Sequence, residues 1–254
     1  MKKSQNSIKQ GEIFKIGSHY VACGDCRDKE LVARLATLTG QKIKAVISDV
    51  PYAVAVAESK RGFSKMSKDK DIANDGLQSD AEYELFTKSW IEAVTPHLDR
   101  KNSFYIFNAD KMIFALREGM LQAGCKFAQL LIWIKTHAVI ARLDYVPQHE
   151  LIAYGWFGVH EFMKSKDKSV IIYPKPNKSP IHPTMKPIGL IRHLILNSTK
   201  VGDVVIDTFL GSGTTVIACE QTRRICLGIE LDEEYVAATI ERFEKLTGIQ
   251  AQKI

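Results

Sequence analysis

The sequence lacks any apolar run as long as a membrane-spanning helix needs, which is about 20 residues. Its first ten residues, MKKSQNSIKQ, are partly basic, and no apolar segment follows them, so we expect no signal peptide. We find no internal repeat and no low-complexity tail. These absences lead us to expect a soluble, cytoplasmic protein that does not contact a membrane.

The sequence also lacks the paired cysteines of a disulfide framework. An odd number of cysteines is scattered through the chain: Cys23, Cys26, Cys125, Cys219 and Cys226. The Cys23-Gly-Asp-Cys26 spacing resembles half of a metal site or a redox pair, but no second Cys/His cluster accompanies it. We therefore interpret the thiols as small, semi-buried side chains and expect no metal, with zinc or redox use as the less favoured alternative.

What the sequence does contain suits one large α/β domain over residues 1–254. It is 45% hydrophobic and 25% charged, enough to bury a substantial core. Its net charge of +6 is a weak indication of a polyanionic partner. Short β-rich apolar runs alternate with helix-like stretches, which predicts a mainly parallel sheet. The candidate strands are residues 19–22, 44–48, 103–107, 130–134, 150–154, 204–207 and 224–229; the candidate helices are 81–95, 112–123, 188–198, 214–221 and 233–246.

A glycine-rich turn near the C-terminus is the strongest local signal. The stretch V204-V-I-D-T-F-L-G-S-G-T-T-V-I-A218 predicts a buried strand that enters Gly-Ser-Gly, with a helix beginning at Thr214. Such a turn lets the backbone approach a nucleotide-like ligand, and the helix offers free N–H groups. It lacks both the third glycine of a dinucleotide fingerprint and the lysine of a Walker A loop. Glu230, about 20 residues after the first glycine, ends the next strand, where such folds place a ribose-binding acid. A structural turn followed by a surface glutamate is the alternative.

A second signal is D49-V-P-Y52, where a short apolar run stops at a carboxylate. On its own this stretch is more typical of a strand end that turns through proline, with Asp49 capping the turn and Tyr52 packing, since such turn residues are common.

Together these motifs resemble those of the DNA amino-methyltransferases. D207-T-F-L-G-S-G-T-T215 resembles their D-P-F-x-G-S-G-T-T cofactor motif, and D49-V-P-Y52 resembles their catalytic D-P-P-Y. I181-H-P-T-M-K-P187 resembles the family's H-P-T-x-K-P segment, and G24-D-C26 and the run 224–235 match further positions. The catalytic motif comes first, as in the β class, and the resemblance spans roughly residues 19–246.

The resemblance implies a permuted, mostly parallel seven-stranded sheet flanked by helices, a Rossmann-like methyltransferase fold of prokaryotic or phage type. It implies S-adenosyl-L-methionine as the cofactor and no metal. Asp25 and the Cys26 backbone would meet the adenine edge, Glu230 the ribose, and His182 with Thr184 the methionine side. The full set of expected cofactor-binding residues is Asp25, Cys26, Asp49, His182, Thr184, Asp207, Phe209, Gly211, Ser212, Gly213, Thr214, Glu230 and Leu231.

The catalytic residues that the resemblance implies are Asp49, Val50, Pro51 and Tyr52. An adenine amino group is a poor nucleophile until acceptors draw hydrogen bonds from both of its hydrogens, and Asp49 with the Val50 carbonyl would do so. Tyr52 would stack on a base extruded from the duplex. Aspartate, where cytosine-N4 enzymes of the family often have serine, favours adenine N6. Cytosine-N4 transfer and a catalytically degenerate DNA-binding fold remain alternatives, the latter because Val50 replaces a proline. Thr208 also replaces a proline.

Double-stranded DNA is the expected partner. The resemblance also allows a homodimer, since members of the family are often dimeric. We expect a DNA-contacting loop at residues 54–75 and a target-recognition insertion at 136–181, which includes an irregular or hairpin segment at 162–180. The predicted phosphate contacts are Lys60, Arg61, Lys65, Lys68 and Arg142. Further candidates for DNA contact are Trp133, Lys135, Tyr145 and His149. For each of these residues, core packing or solvated surface is the alternative.

Overall fold

The computed structural model describes residues 8–52, 79–138, 144–164, 166–174 and 185–254. These residues form strands β1 (Ile13–Ile16), β2 (His19–Cys23), β3 (Ile43–Asp49), β4 (Leu98–Asn108), β5 (Cys125–Ile134), β6 (His149–Phe157), β7 (Val170–Ile172), β8 (Val204–Asp207), β9 (Ile225–Glu230) and β10 (Gln252–Lys253). The helices are α1 (Lys29–Thr37), α2 (Asp80–Val94), α3 (Ile113–Gln122), α4 (Ile188–Ser198), α5 (Thr214–Thr222) and α6 (Glu233–Thr247), with a 3₁₀ turn at Thr95–His97.

The strands form one sheet in the order β10-β1-β2-β9-β8-β3-β4-β6-β5-β7. The five strands from β2 to β4 in this order run parallel to one another. Strand β6 is antiparallel to both β4 and β5. All seven candidate strands are present, as β2, β3, β4, β5, β6, β8 and β9. The α/β fold with a mostly parallel sheet is therefore confirmed, and β1, β7 and β10 extend it at its two edges.

Helices cover both faces of the sheet because its central strands are apolar on both sides. On β3, Val46 belongs to the core cluster that includes residues of α1, α2 and α3, whereas Ala45 and Ile47 belong to the cluster that includes residues of α4, α5 and α6. Each of these strand residues is at most 1% exposed. The continuous apolar run that predicted this strand thus reflects burial on two sides.

Local sequence explains where the helices begin. Ser79 accepts a hydrogen bond from the Glu82 amide, and the Glu82 side chain accepts one from the Ser79 amide, forming a capping box for α2. Asp28 caps α1 in the same position. Helix α6 ends at Gly248, whose φ of 76° lies in the left-handed region that glycine favours.

The sheet has a topological switch point between β3 and β8. The chain leaves β3 through α2 towards β4 on one side, and leaves β8 through α5 towards β9 on the other. In open α/β sheets a ligand crevice forms at the carboxyl ends of the strands at such a point. Asp49 ends β3 and Asp207 ends β8 there.

Four further features of the described residues concern β7, the cysteines, possible metal ligands and the length of the helices. Within the segment 162–180, β7 pairs in parallel with β5, and the described residues of this segment form no hairpin with one another. All five cysteines are buried and free. Among the described residues no cluster of three or more His, Cys, Asp or Glu is placed to hold a metal ion. Within the same residues no helix is long and apolar enough to span a membrane.

Candidate functional site

The turn after β3 is anchored by α2 and by the end of β4. The Tyr83 hydroxyl donates to the Pro51 carbonyl at 2.7 Å. The Asn108 side-chain amide donates to the same hydroxyl at 3.0 Å. Tyr83 and Asn108 are completely buried. The D-V-P-Y turn therefore sits on a fixed support at the carboxyl edge of the sheet.

The Asp49 carboxylate is held by two neighbours. Its Oδ1 accepts a hydrogen bond from the Tyr52 hydroxyl at 2.8 Å, and its Oδ2 accepts one from Lys186 Nζ at 2.5 Å. The Asp49 side chain is 29% exposed, whereas the Lys186 side chain is only 7% exposed. Burial alone would lower the pKa of Lys186, but the Asp49 and Glu150 carboxylates outweigh it and raise that pKa. Lys186 is therefore an ammonium ion beneath a partly accessible carboxylate.

Glu150 extends this arrangement into β6. Its Oε2 lies 3.2 Å from Lys186 Nζ and its Oε1 lies 2.8 Å from Lys135 Nζ. The Tyr52 hydroxyl is 3.0 Å from Glu150 Oε2. Burial would raise the pKa of Glu150, but Lys186 and Lys135 lower it to about 2. Carboxylates and ammonium ions thus alternate from Asp49 through Lys186 and Glu150 to Lys135.

The glycine loop after β8 is closed by Asp207. Its carboxylate accepts hydrogen bonds from the Phe209 amide at 3.1 Å and from Thr215 Oγ1 at 2.5 Å. Burial raises the pKa of Asp207 to about 7. Gly211 and Gly213 have φ of 54° and 78°. A Cβ atom on Gly213 would lie 2.6 Å from Thr239 of α6, so this turn needs glycine for both conformation and space.

Glu230 joins the glycine loop to the first candidate segment. Its carboxylate accepts from the Gly211 amide at 2.7 Å and from the Asp232 amide at 2.9 Å. Its backbone carbonyl accepts from the Gly24 amide at 2.8 Å. Burial raises the pKa of Glu230. The acid at the end of β9 therefore lies between the G-D-C and G-S-G segments.

A polar link connects the two main motifs across the switch point. Ser48, just before Asp49, and Thr208, just after Asp207, place their hydroxyl oxygens 2.9 Å apart. The Thr208 amide also points at Ser48 Oγ, at 3.4 Å. Both side chains are buried. A proline at position 208, as in the resembling motif, would have neither the hydroxyl nor the N–H.

Aromatic rings line the other side of the loop. The Phe209 ring meets Trp90 edge-on, with centroids 5.7 Å apart, and lies 5.9 Å from Phe86. The Arg27 guanidinium lies 5.7 Å from the Phe86 centroid and forms an ion pair with Asp25 at 2.6 Å. This hydrogen-bonded Arg27 lowers the pKa of Asp25. The arrangement is an apolar wall with a carboxylate at its rim.

Several expected cofactor residues have other partners. The Cys26 thiol is 5% exposed within the core, which leaves only its backbone for a ligand. The Leu231 carbonyl accepts from the Gln10 side chain at 2.7 Å. Arg242 donates to the Ser212 carbonyl at 2.9 Å and lies 3.4 Å from Thr214 Oγ1. The cofactor roles of these residues stay predictions.

Other predicted residues lie outside the described part of the chain. They are His182 and Thr184 on the cofactor side, the loop 54–75, and the phosphate contacts Lys60, Arg61, Lys65, Lys68 and Arg142. The insertion 136–181 is described in part and includes β6 and β7 of the sheet.

Two candidate DNA contacts within the described residues are wrong. Trp133 is 1% exposed and Lys135 is 5% exposed, so both belong to the interior. Lys135 is placed there by its ion pair with Glu150. Tyr145, by contrast, is 91% exposed.

Sequence reasoning missed the cations and the second acid around Asp49. Lys186 lay within the recognised I181–P187 segment but had no assigned role. Glu150 had a weaker signal, a carboxylate within an otherwise apolar strand candidate. The ion pair of Glu150 with Lys135 depends on the pairing of β5 with β6, where Trp133 lies opposite Glu150.

Comparison with known proteins agrees with this architecture. The N6_N4_Mtase family, described as DNA methylase, matches residues 43–179 and 164–241. The Type II methyltransferase M.HpaI of Haemophilus parainfluenzae is 26% identical over 239 residues, covering 84% of this chain and 72% of that protein.

Two solved structures have the same fold. The crystal structure of an M1.HpyAVI–SAM complex matches with a TM-score of 0.63 at 22% identity, covering 87% of this chain and 98% of that one. PvuII DNA methyltransferase, which is cytosine-N4-specific, matches with a TM-score of 0.67 at 18% identity, covering 90% and 89%.

The sheet order, the switch-point site and the family match define the class: an α/β methyltransferase that modifies amino groups of DNA bases. The chain belongs to the N6_N4_Mtase family of DNA methylases.

Proposed function

We propose that this protein transfers a methyl group from S-adenosyl-L-methionine to the N6 amino group of adenine in double-stranded DNA. The observation that carries the proposal is the position of Asp49. Its partly exposed carboxylate ends β3 beside the glycine loop of β8, and Tyr52 and Lys186 hold it there. An acceptor for an amino group and a nucleotide-type loop thus share one crevice.

The described residues suit this cofactor. Glu230 has free lone pairs beside its two backbone donors, which suits ribose hydroxyls. The partly exposed Phe209 ring, packed against the buried Phe86 and Trp90, suits an adenine ring. The carboxylates of Asp49, Asp207 and Glu230 end three neighbouring parallel strands, so this edge suits a cation. The cofactor, when bound, supplies a methyl group on a positively charged sulfonium.

The catalytic turn acts by positioning hydrogen-bond acceptors. Asp49 accepts from one hydrogen of the target amino group. The Pro51 carbonyl is already engaged by Tyr83, and the Val50 carbonyl is the second acceptor in this proposal. Val50 is 2% exposed within the core, so packing and the following proline hold its backbone in place of the usual proline ring. Tyr52 offers its ring to the extruded base.

Adenine is favoured over cytosine by the residue type at position 49. Aspartate stands where cytosine-N4 members of the family often have serine. Both amino groups need the same two acceptors, so the choice of base requires a direct test.

The test measures transfer and base identity together. The protein is incubated with labelled S-adenosyl-L-methionine and mixed-sequence double-stranded DNA, which is then digested to nucleosides. We expect label in N6-methyladenine. Label in N4-methylcytosine would instead establish the cytosine activity, and DNA binding without label would indicate a degenerate fold.

A substitution at the proposed acceptor tests its role. Asp49→Ala should lower the transfer rate by at least about a hundredfold, because one preorganised acceptor is lost. Cofactor affinity, measured by calorimetry, should change little. Asp99→Ala is the matched control, since Asp99 pairs with Lys44 near the starts of β3 and β4, at the end of these strands away from Asp49. Loss of cofactor binding in Asp49→Ala would contradict the role given to this residue.

A further inference from the structure

Both oxygens of the proposed catalytic carboxylate are engaged in this structure. Lys186 holds Asp49 Oδ2 at 2.5 Å, and the Tyr52 hydroxyl holds Oδ1 at 2.8 Å. Each carboxylate oxygen has two lone pairs, so an amino group that arrives at Oδ1 shares this oxygen with the Tyr52 hydroxyl, and each of the two hydrogen bonds is weaker than one formed alone. A site of this kind works better if that hydroxyl has a second acceptor within reach.

Glu150 is that acceptor. Its Oε2 lies 3.0 Å from the Tyr52 oxygen, almost as near as Asp49 Oδ1. A hydroxyl carries one proton, so Tyr52 donates to Asp49 or to Glu150 but not to both. Rotation about the C–O bond exchanges the two acceptors without moving the ring.

The surroundings keep Glu150 in the form and position that this exchange needs. Lys135 occupies Oε1 at 2.8 Å and Lys186 approaches Oε2 at 3.2 Å. The Lys135 backbone is fixed to Gln148 by two hydrogen bonds, at 2.8 and 3.1 Å. The two cations hold the pKa of Glu150 near 2 against its burial, so it is a carboxylate at neutral pH.

We propose that Glu150 is a positioning residue for methyl transfer: it accepts the hydrogen bond of the Tyr52 hydroxyl when the target amino group arrives and so releases Asp49 Oδ1. Lys135 is the counter-ion that keeps Glu150 buried beside Lys186. The inference rests on the proposed function and assigns a role to two residues outside the recognised motifs, Lys135 just after β5 and Glu150 in β6.

The test compares two double variants that differ only in the acceptor. Lys135→Met/Glu150→Met replaces a buried ion pair by apolar side chains, a change that often leaves the free energy of unfolding unchanged or higher. Lys135→Met/Glu150→Gln also removes the pair but keeps a carbonyl oxygen for Tyr52. We expect similar melting temperatures and cofactor affinities for the two variants. The glutamine variant should have a kcat roughly 10- to 100-fold higher.

A third substitution checks that the effect passes through the hydroxyl. In a Tyr52→Phe background there is no hydroxyl to compete for Asp49, so the kcat ratio of the two double variants should fall to about one. Equal kcat values with Tyr52 present would overturn the inference, and so would a ratio that persists in the Tyr52→Phe background.

The proposed function is tested separately, by measuring which base the wild-type chain methylates. If that chain methylates cytosine, the ratio is measured on cytosine and the inference stands, because the amino group there needs the same acceptors. A wild-type chain that transfers no methyl group would overturn both proposals. An active wild type with equal kcat values for the two double variants would instead overturn only the role given to Glu150.

Discussion

Thr208 shows how one side chain can connect two motifs. It stands where the resembling cofactor motif has proline, and its hydroxyl meets that of Ser48 from the neighbouring strand. Ser48 directly precedes Asp49, so the bond joins the end of β8 to the start of the catalytic turn. A departure from the family pattern has thus become a cross-strand contact.

Removing this hydroxyl should destabilise the fold. Thr208→Val keeps the shape but leaves Ser48 Oγ, which is completely buried, with only the weak contact to the residue 208 amide. We expect a loss of roughly 1–3 kcal/mol in the free energy of unfolding, measured with urea. Thr208→Ser is the matched control, because it keeps the hydroxyl. A loss in Thr208→Val no larger than that in Thr208→Ser would contradict the role given to the hydroxyl.

At the scale of elements, α2 links helix capping to the site. Its first turn is held by Ser79 and Glu82, and Tyr83, the next residue, donates to the Pro51 carbonyl. The position of the catalytic turn therefore depends on the first turn of this helix, which carries Tyr83.

Loss of the cap should loosen that start. Ser79→Ala removes the acceptor for the Glu82 amide, and we expect a cost of about 1 kcal/mol in unfolding free energy, measured with urea. Lys88→Ala is the control on the same helix, since its exposed ion pair with Glu92 contributes at most a few tenths of a kcal/mol to the free energy of unfolding. A cost no larger than that of the control would contradict the capping role.

Elements buried on both faces were predictable from sequence, and marginal ones were not. Strands β3 and β8 are short runs rich in β-branched residues, and each is followed by a recognisable turn, D-V-P-Y after β3 and Gly-Ser-Gly after β8, so both were predictable. Helix α1 was missed because its nine residues include Lys29, Glu30 and Arg34, and only four are buried. Strands β1, β7 and β10 have two to four residues, too few for a period to appear.

The whole molecule explains which parts of the site escaped sequence reasoning. Asp49, Asp207 and Glu230 follow strand ends, and the carboxyl ends of parallel strands meet at one edge, so their proximity was predictable. Glu150 reaches the Tyr52 hydroxyl and Lys186, the two partners of Asp49, because β6 runs antiparallel between β4 and β5. That strand order is a tertiary property that no local pattern specifies.

Two buried acids with opposite shifts should shape the stability of the whole fold. Burial raises the pKa of Asp207 to about 7, above the value of about 3.9 in an unfolded chain. The folded protein therefore binds more protons at this group between those values, and its contribution to stability is lost as pH rises through 7. Glu150, with its pKa lowered to about 2, contributes stability above about pH 4.3 that is lost as pH falls towards 2.

Asp207→Asn isolates the first of these effects. The substitution removes the titrating group, so the fall in unfolding free energy between pH 5 and pH 8 should be smaller than in the wild type, even if the variant is less stable throughout. The measurement is urea unfolding at several pH values, with Asp144→Asn as a control at an exposed carboxyl. The acid limb below pH 4 should stay, because Glu150 is unchanged. A pH slope between 5 and 8 equal to that of the wild type would contradict a raised pKa at Asp207 and would mean that this buried acid is ionised in the folded protein.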